Sequence, residues 1–298
     1  MINISDSIEA CASHYGDQAD AMRAYLLEGQ ERSLALPNRG PLVFTNTGEL
    51  AENIRTAYSE FGFYILEGVL GEEELDDIKA DLEHMRSQFP TGPESQVTEM
   101  GEPALGADAK ALTLVWSKPL GDPLGGTALA NGRHQVKMFE PKASDEAPPA
   151  APFILLGSLQ FSEACLRTYA HPQLLSVAAS INGPDFAPFN EALFIKDPGI
   201  GAAVSWHQDG VTHWDSADFE EDIHGFNFMA QVYGSTAVNG VWVLPGTHKL
   251  GKLNINELVA ESGSERLKGA VPIICNPGDV VICNRQLLHG SFPNCGFE

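Results

Sequence analysis

A short run of the sequence, Ala203-Val-Ser-Trp-His-Gln-Asp-Gly210, carries a His-x-Asp pattern. In an extended strand, residues two positions apart point to the same face, so His207 and Asp209 can converge while Gln208 points away. An imidazole and a carboxylate on one face make half of a metal site. The pattern therefore predicts a strand that presents two metal ligands and needs a third from elsewhere in the chain.

The third ligand is expected at His289, in the stretch Leu287-Leu-His-Gly-Ser291. A turn signal at Asn276-Pro-Gly-Asp279 and a strand-like Val280-Val-Ile-Cys283 precede it. Two histidines and one carboxylate on one face of an ion leave its other positions open. This arrangement suits ferrous iron that must also hold an organic chelator and oxygen.

A rival third ligand is His248, which also lies downstream of the His-x-Asp pair and follows the strand-like Val241-Trp-Val-Leu244. Pro245-Gly-Thr247 is a turn signal and Lys249 follows the histidine, so the segment is typical of a strand exit and loop. We therefore expect His289 to complete the triad. A histidine taken alone is more often a structural or surface residue, so the interpretation depends on the motifs around it.

Patterning along the chain predicts an α+β protein in which helices come first. Apolar periods of helical type occur at 50–61 and 75–85, and a strand-like segment, Phe63-Tyr-Ile-Leu66, lies between them. From Ala192 onward, short strands separated by turns favour a β-sandwich or jelly roll. We expect one catalytic domain over residues 1–298, with a helical region at 1–90, an irregular loop or lid region at 91–152 and a jelly-roll core at 153–298.

Composition and charge exclude several classes of partner. The chain has 298 residues, is 43% hydrophobic and carries a formal net charge of -22, which disfavours nucleic acid and anionic membrane surfaces. An anionic cosubstrate would need a local cluster of positive groups to offset this average field. We therefore expect a small-molecule substrate and no nucleic-acid or membrane partner.

The cysteines and the N-terminus bear on the cellular compartment. The five cysteines form no CxxC pair and are odd in number, which favours free thiols in a reducing, cytoplasmic compartment. The N-terminal residues lack the basic and apolar regions of a secretory signal, and no apolar run approaches the roughly 20 residues of a membrane-spanning helix.

Further motifs surround the candidate ligands: Phe61-Gly-Phe-Tyr-Ile-Leu-Glu-Gly-Val-Leu70, Lys196-Asp-Pro-Gly199, Asn239-Gly240, Leu244-Pro-Gly-Thr-His248, His289-Gly-Ser291 and Pro293-Asn294. The series resembles the phytanoyl-CoA dioxygenase family of iron(II)- and 2-oxoglutarate-dependent oxygenases, with a spacing similar to that of its ectoine hydroxylases. The resemblance runs from about Tyr58 to the chain end.

The resemblance implies a double-stranded β-helix (a cupin-like jelly roll) with an N-terminal helical layer. It also implies that Fe(II), 2-oxoglutarate and O2 are used to hydroxylate an unactivated carbon of a small organic molecule, with release of succinate and CO2. Because the ligand carboxylate Asp209 is present, where related halogenating enzymes have a small residue, hydroxylation is expected. In the family, the element that matches His248 is a structural corner.

Other site residues follow from the same resemblance. Lys196 and Ser291 are expected at the distal carboxylate of 2-oxoglutarate, and Gln231 near the cosubstrate. Trp206, His213 and Trp214 are candidate walls of the substrate pocket. A solvent-facing strand lysine remains an alternative for Lys196, and core packing or a loop position remains one for the pocket walls.

One departure from the family concerns an arginine. The family carries an Arg after its distal histidine that pairs with 2-oxoglutarate, whereas only residues 290–298 follow His289 here. We expect the natural chain to continue into a strand that bears this Arg, because a jelly roll ending here would leave a sheet edge unpaired. Arg285 is the nearest alternative cation.

Two other functions remain open from the sequence. One is a cupin-type metalloenzyme that uses the triad without 2-oxoglutarate. The other is a non-catalytic jelly-roll binding module with a structural or vestigial triad, since a fold alone does not establish an activity.

Overall fold

The computed structural model describes residues 4–209 and 225–298. Helices and strands alternate through this part of the chain, and four short 3-10 turns lie between them at Gly16–Gln18, Leu129–Gly132, Ser158–Gln160 and Thr247–Lys249. The longer elements of the described residues are α1 (Ile4–Ser13), α2 (Ala19–Leu34), β1 (Arg39–Pro41), α3 (Glu52–Phe61), β2 (Phe63–Glu67), α4 (Glu72–Ser87), β3 (Leu114–Ser117), β4 (Ala151–Leu156), α5 (Glu163–Tyr169), α6 (Pro172–Asn182), β5 (Ala192–Phe194), β6 (Val204–His207), β7 (Phe226–Ala230), β8 (Trp242–Val243), α7 (Ile255–Ser262), β9 (Val271–Pro272), β10 (Val280–Asn284) and β11 (His289–Ser291).

The strands form two four-stranded sheets and one of three strands. The first has the order β1-β2-β10-β7, with β1 parallel to β2 and the other neighbours antiparallel. The second has the order β6-β11-β8-β9 and is antiparallel throughout. The third has the order β3-β4-β5. The α+β class predicted from the sequence is confirmed.

Local sequence signals set the start or the end of two of the helices. Helix α3 ends at Gly62, which adopts a left-handed φ of 83° that a glycine accepts without strain. Helix α4 begins with three glutamates in its first turn, where they favour the positive end of the helix dipole. Strand β2 follows α3 directly.

The sheet crosses the boundary predicted at residue 90. Strand β2 pairs with β10, so Ile65 lies opposite Val281 although they are far apart in the chain. Residues of the expected helical region thus supply two strands to a sheet that also contains the C-terminal part of the chain. The irregular region at 91–152 contains β3, which forms from the apolar island around Val115.

Three apolar clusters hold the helices and the two four-stranded sheets together in layers. One packs α3, α4 and α6 against the outer face of the first sheet, with Ile54, Ile78 and Val177 as members. Another contains residues from both four-stranded sheets, such as Phe63 and Val243, and therefore lies between them. The third joins α1 and α2 to the outer face of the second sheet. Each of the two four-stranded sheets thus has helices packed on its outer side.

Helix α2 approaches the second sheet very closely at Gly29. A Cβ atom added there would lie 2.3 Å from the Trp242 ring, so only glycine allows this contact. The neighbouring Tyr25 stacks on the same indole with ring centroids 4.6 Å apart and planes 13° apart. The close approach fixes α2 on β8.

The edge of the first sheet is open in the described part of the chain. Strand β7 pairs with β10 on one side, and no described strand pairs with its other side. The expectation of a further strand stays a prediction. None of the described helices has both the length and the hydropathy that a membrane-spanning segment requires.

Candidate metal centre

Two adjacent strands bring the candidate histidines together. His207 at the end of β6 and His289 at the start of β11 are register partners in an antiparallel pair. Their ring centroids are 4.1 Å apart. The register shifts between His289 and Ser291, which marks an irregularity in β11 next to the histidine. The strand pairing itself therefore places both imidazoles at one point.

Asp209 closes the triangle two residues after His207. Its Oδ1 atom lies 3.5 Å from Nε2 of His207, and its Oδ2 atom lies 3.7 Å from Nε2 of His289. The candidate ligand atoms of all three side chains lie within 4.8 Å of one another. Among the described residues this is the cluster of histidine, cysteine and acidic side chains that could hold an ion.

The two imidazoles are oriented in the same way. Nδ1 of His207 lies 2.9 Å from the carbonyl oxygen of Ser205, and Nδ1 of His289 lies 2.9 Å from that of Leu287. A backbone carbonyl only accepts, so each Nδ1 carries the proton and each Nε2 keeps its lone pair for the cluster. Burial and the neighbouring His207 lower the pKa of His289 to about 4, so this ring is neutral at physiological pH.

Asp209 is held as an ionised carboxylate. Burial raises its pKa, but the adjoining His207 and His289 rings and the charge of Arg133 outweigh this and hold the pKa well below its usual range. Asn227 on β7 donates its side-chain amide to Oδ2 at 2.7 Å. The Asp209 side chain is only 14% exposed, so water competes little with the hydrogen bond from Asn227, which holds the carboxylate in place.

Gln208 points away from the cluster, as the alternation of the strand predicts. Its amide donates to the carbonyl oxygens of Gly251 at 3.0 Å and Gln286 at 2.6 Å, and its Oε1 accepts from the Leu253 N–H at 2.9 Å. The side chain therefore ties the His-x-Asp segment to two loops.

A loop that sequence reasoning left without a role also reaches the cluster. Nη1 of Arg133 lies 3.1 Å from Oδ1 of Asp209. The next residue, His134, is 1% exposed and its ring lies on that of His207, with centroids 4.2 Å apart. Burial and the neighbouring His207 lower the pKa of His134 to about 3, so it packs as a neutral ring.

Lys196 and Ser291, the two residues expected at the 2-oxoglutarate carboxylate, contact each other. Nζ of Lys196 donates to Oγ of Ser291 at 3.0 Å and to the carbonyl oxygens of Ala202 at 3.0 Å and Phe292 at 2.5 Å. Shielding from water lowers the pKa of Lys196 to about 7. The ammonium group is therefore turned into the protein, and the alternative of a solvent-facing strand lysine is wrong.

The hydrogen bond found for the Gln231 side chain does not involve the triad. It follows the end of β7, and its side-chain amide donates to the Met229 carbonyl at 3.3 Å. On the same strand, Asn227 is the residue that reaches Asp209. A role for Gln231 beside the cosubstrate stays a prediction.

The expected substrate-pocket walls need one correction. Trp206 has 0% exposure, donates its indole N–H to the Glu265 carbonyl at 2.7 Å and packs against Phe292 in the cluster under α1 and α2. Trp206 and His207 are neighbours on β6, so their side chains face opposite sides of the sheet. Trp206 is therefore a core residue, which is the alternative that the sequence left open, and not a wall of the substrate pocket. His213 and Trp214 lie outside the described residues.

His248 is separate from the triad. It lies in the 3-10 turn Thr247–Lys249, and its Nε2 is 3.0 Å from the Ser59 carbonyl near the end of α3. Gly62 leaves room for the ring, since a Cβ there would lie 2.5 Å from Nδ1 of His248. This contact holds a corner of the fold.

The residues that the sequence did not single out are Arg133, His134 and Asn227. Arg133 and His134 follow Asn131-Gly132, a turn signal inside the region expected to form a loop or lid. The predicted loop or lid was the one feature of the sequence that pointed to this region, because neither residue has a spacing to the triad that is typical of metal ligands. Asn227 could have been found only through the pairing of β7 with the rest of the sheet.

Comparison with known proteins decides the family. A family model described as Phytanoyl-CoA dioxygenase (PhyH) matches residues 58–296. The chain belongs to the phytanoyl-CoA dioxygenase family. The match begins at Tyr58 in α3 and includes every residue of the triad. It confirms the resemblance predicted from the motifs. No curated protein sequence matches the chain closely enough to count as a relative.

Solved structures share the fold of this phytanoyl-CoA dioxygenase family member. EctD from S. alaskensis with 2-oxoglutarate and 5-hydroxyectoine is 18% identical, with a TM-score of 0.58 over 88% of this chain and 76% of that chain. SnoK, a non-heme alpha ketoglutarate dependent carbocyclase from nogalamycin biosynthesis, is 14% identical, with a TM-score of 0.51 over 87% and 83%. AviO1 from Streptomyces viridochromogenes Tue57 is 20% identical, with a TM-score of 0.50 over 80% and 86%.

Proposed function

We propose that this protein is an iron(II)- and 2-oxoglutarate-dependent dioxygenase that hydroxylates an unactivated carbon of a small organic molecule. The observation that carries the proposal is the convergence of His207, Asp209 and His289 at one point of the paired strands β6 and β11. Family membership and the likeness to EctD, which has been solved with bound Fe and with 2-oxoglutarate, support it.

The residues present fit ferrous iron. Two imidazole nitrogens with free lone pairs and one ionised carboxylate form the two-histidine, one-carboxylate set that leaves other positions open on the ion. The Nδ1 hydrogen bonds to Ser205 and Leu287 hold the rings, and the Asn227 amide holds the carboxylate. Bound iron would activate O2 together with 2-oxoglutarate, which leaves as succinate and CO2.

Lys196 and Ser291 are our candidates for the distal carboxylate of 2-oxoglutarate. Ser291 lies two residues after His289, and its hydroxyl is already in contact with the Lys196 ammonium. Among the described residues no carboxylate lies within ion-pair distance of this ammonium, and a ligand carboxylate would replace one of the three oxygens of Ser291, Ala202 and Phe292 that now accept its N–H groups. An unpaired dianion in such surroundings would cost several kcal/mol, and a cation there offsets that cost.

The remaining parts of the proposal concern architecture, reaction and compartment. We assign the two four-stranded sheets, with the apolar cluster between them, to a double-stranded β-helix. Asp209 fills the position that is a small residue in related halogenating enzymes, which supports hydroxylation. The five cysteines are free and buried, which supports a reducing, cytoplasmic compartment.

The experiment that tests the proposal measures binding before turnover. Apoprotein would be titrated under anaerobic conditions first with Fe(II) and then with 2-oxoglutarate, and the visible absorbance of the iron–keto acid complex recorded. His289→Ala should lose the iron-dependent signal, whereas His84→Ala on the exposed side of α4 should keep it. O2 would then be admitted and succinate measured.

The outcomes separate the alternative functions. Succinate that depends on both iron and O2 supports the proposal, because slow cosubstrate decarboxylation needs no primary substrate. Metal binding with turnover of another substrate and no response to 2-oxoglutarate would point to a cupin-type enzyme. An absence of metal binding would point to a binding module and refute the proposal.

A further inference from the structure

Two arginines from different parts of the chain reach Asp209. Arg133 lies in the loop before β4, and its Nη1 atom is 3.1 Å from Oδ1 of the carboxylate. Arg285 lies between β10 and β11, and its Nη2 donates to the main-chain oxygen of Asp209 at 3.4 Å. In a chain with a net charge of -22, two guanidinium groups at one residue are an unusual local excess of positive charge.

The loop that carries Arg133 is built to hold it there. Ala130 and Asn131 have left-handed backbone angles, with φ of 49° and 58°, and Gly132 continues the turn with φ of 68°. A left-handed alanine is unfavourable and persists only where surrounding contacts require it. Buried Asp122 ties together the two sides of this loop, because its two oxygens accept the N–H groups of Gly125 at 2.9 Å and Met138 at 2.8 Å.

Arg285 is held by different means. A Cβ added at Gly225 would lie 2.8 Å from Cδ of Arg285, so the glycine makes room for the side chain. The guanidinium carbon lies 5.4 Å from the centre of the Phe189 ring, within range of a cation–π contact. Within the described ranges 4–209 and 225–298, no carboxylate forms an ion pair with this guanidinium.

The charges do not balance once the proposed ligands are present. Asp209 is the one described carboxylate in an ion pair with Arg133, and a metal would share its negative charge. When a ferrous ion, the 2-oxoglutarate dianion and, from residues 4–209 and 225–298 alone, the two guanidinium groups and Asp209 are counted, positive charge exceeds negative charge by about one. Lys196, on the far side of Ser291, would add to the excess whenever it is protonated. The site therefore has the electrostatics to receive one more anion.

We propose that Arg133 and Arg285 receive the carboxylate of the primary substrate, which would be a small organic acid with an apolar body. A planar guanidinium matches a carboxylate in geometry, and a second guanidinium raises the preference for an anion over a neutral group. Arg133 is 29% exposed on its side chain, so a solute can reach it. The Phe189 ring, 81% exposed beside Arg285, offers a surface for the apolar part.

This inference rests on the proposed function, but its test reads binding rather than turnover. The protein would be loaded with Mn(II), which avoids oxidation, and saturated with 2-oxoglutarate. Calorimetry would then compare acetate, benzoate and phenylacetate with their primary amides, acetamide, benzamide and phenylacetamide. At least one acid should bind about tenfold more tightly than its amide.

Three variants, each with one arginine changed to glutamine, test which arginine gives the preference for acids. Arg133→Gln and Arg285→Gln should each reduce the preference for the acid about tenfold and leave the 2-oxoglutarate affinity near wild type. Arg55→Gln, on the exposed face of α3, removes one positive charge elsewhere and should leave the preference unchanged. Circular dichroism would establish that each variant is folded.

Several results would overturn the inference. It is wrong when no acid binds better than its amide, or when the preference survives both arginine variants. It is also wrong when these variants weaken 2-oxoglutarate rather than the acids, because the pair would then serve the cosubstrate. Failure of wild-type protein to bind 2-oxoglutarate would instead count against the proposed function, since the acid and amide titrations with Mn(II) alone still report on the arginines.

Discussion

His207 and His289 face each other across the β6–β11 ladder, and each donates Nδ1–H to the carbonyl two residues before it. One local geometry is thus used twice on antiparallel strands. Because both rings keep Nε2 free at the same point, the backbone, rather than side chains of distant elements, sets the tautomer of the candidate ligands.

The first prediction concerns metal stoichiometry. Replacing His207, Asp209 or His289 with Ala should reduce bound iron to a small fraction of the wild-type content, because each removes one of three ligand atoms. His248→Ala should keep the stoichiometry near wild type, because His248 contacts Ser59 and not the cluster. Iron content after gel filtration measures this. Retained iron in His289→Ala with loss in His248→Ala would reverse the choice of third ligand.

The second prediction concerns Asn227, which the sequence did not reveal. Asn227→Ala removes the 2.7 Å hydrogen bond to Oδ2 of Asp209 and frees the carboxylate to rotate. Iron affinity should fall by about ten- to a hundredfold, the usual effect of losing such an orienting partner. Asn256→Ala, an exposed change on α7, is the matched control. Competition titration with a chelator gives the affinity, and equal values for the two variants would contradict the assigned role.

The third prediction uses the pKa of Lys196, which is lowered to about 7. The ammonium form receives a carboxylate, so 2-oxoglutarate affinity should fall as pH rises above 7, by at most about tenfold per unit. Lys196→Met should bind about tenfold or more weakly at pH 6.5 and lose the pH dependence. Calorimetry between pH 6.5 and 9 tests this. Tight binding by Lys196→Met would place the carboxylate elsewhere.

Stability should follow the opposite course in the fourth prediction. The folded pKa of Lys196 lies below the ordinary value of 10.5, so between about pH 7 and 10 the unfolded chain binds more protons at this residue. The free energy of unfolding of the ligand-free protein should therefore gain a contribution from Lys196 as pH rises through this window. Lys196→Met should lack that contribution. Urea unfolding at several pH values, compared between the two proteins, measures it, and identical pH slopes would count against it.

The fifth prediction concerns the contact between α2 and the second sheet. Gly29→Ala places a Cβ 2.3 Å from the ring of Trp242, which is fully buried, so either the helix or the indole must shift. The free energy of unfolding should drop by about 1–3 kcal/mol, as for other overpacked cores. Glu28→Ala, exposed on the same helix, should change it little. Thermal unfolding of the two variants would decide the matter, and equal melting temperatures would refute the role of Gly29.

The sequence predicted those parts of the site that depend on the geometry of a single strand. His207 and Asp209 share a face because they are two residues apart on a strand, and His289 follows a clear turn and strand signal. The same rule was misapplied to Trp206, which is an immediate neighbour of His207 and so must face the opposite side. Its indole packs beneath α1 and α2 instead.

What the sequence could not provide depends on pairing between distant segments. Arg133 reaches Asp209 only because its loop packs against β6, and no periodicity in the sequence predicts that contact. Strand β2 joins β10 across more than two hundred residues, so a boundary drawn from composition at residue 90 could not foresee a common sheet. Lys196 was placed by its motif, but its contacts with Ser291 and two carbonyl groups required the assembled strands.

The ladder that joins β6 to β11 closes a loop of 82 positions, counted as 289 minus 207. An ion bound by both strands would crosslink the two ends of this loop. Because the unfolded chain lacks the assembled site, the free energy of metal binding would add to the free energy of unfolding. The melting temperature should then rise with the concentration of free metal. Amide hydrogens around Val204 and Gly290 should exchange more slowly as well, which ties the availability of iron to the lifetime of the folded chain.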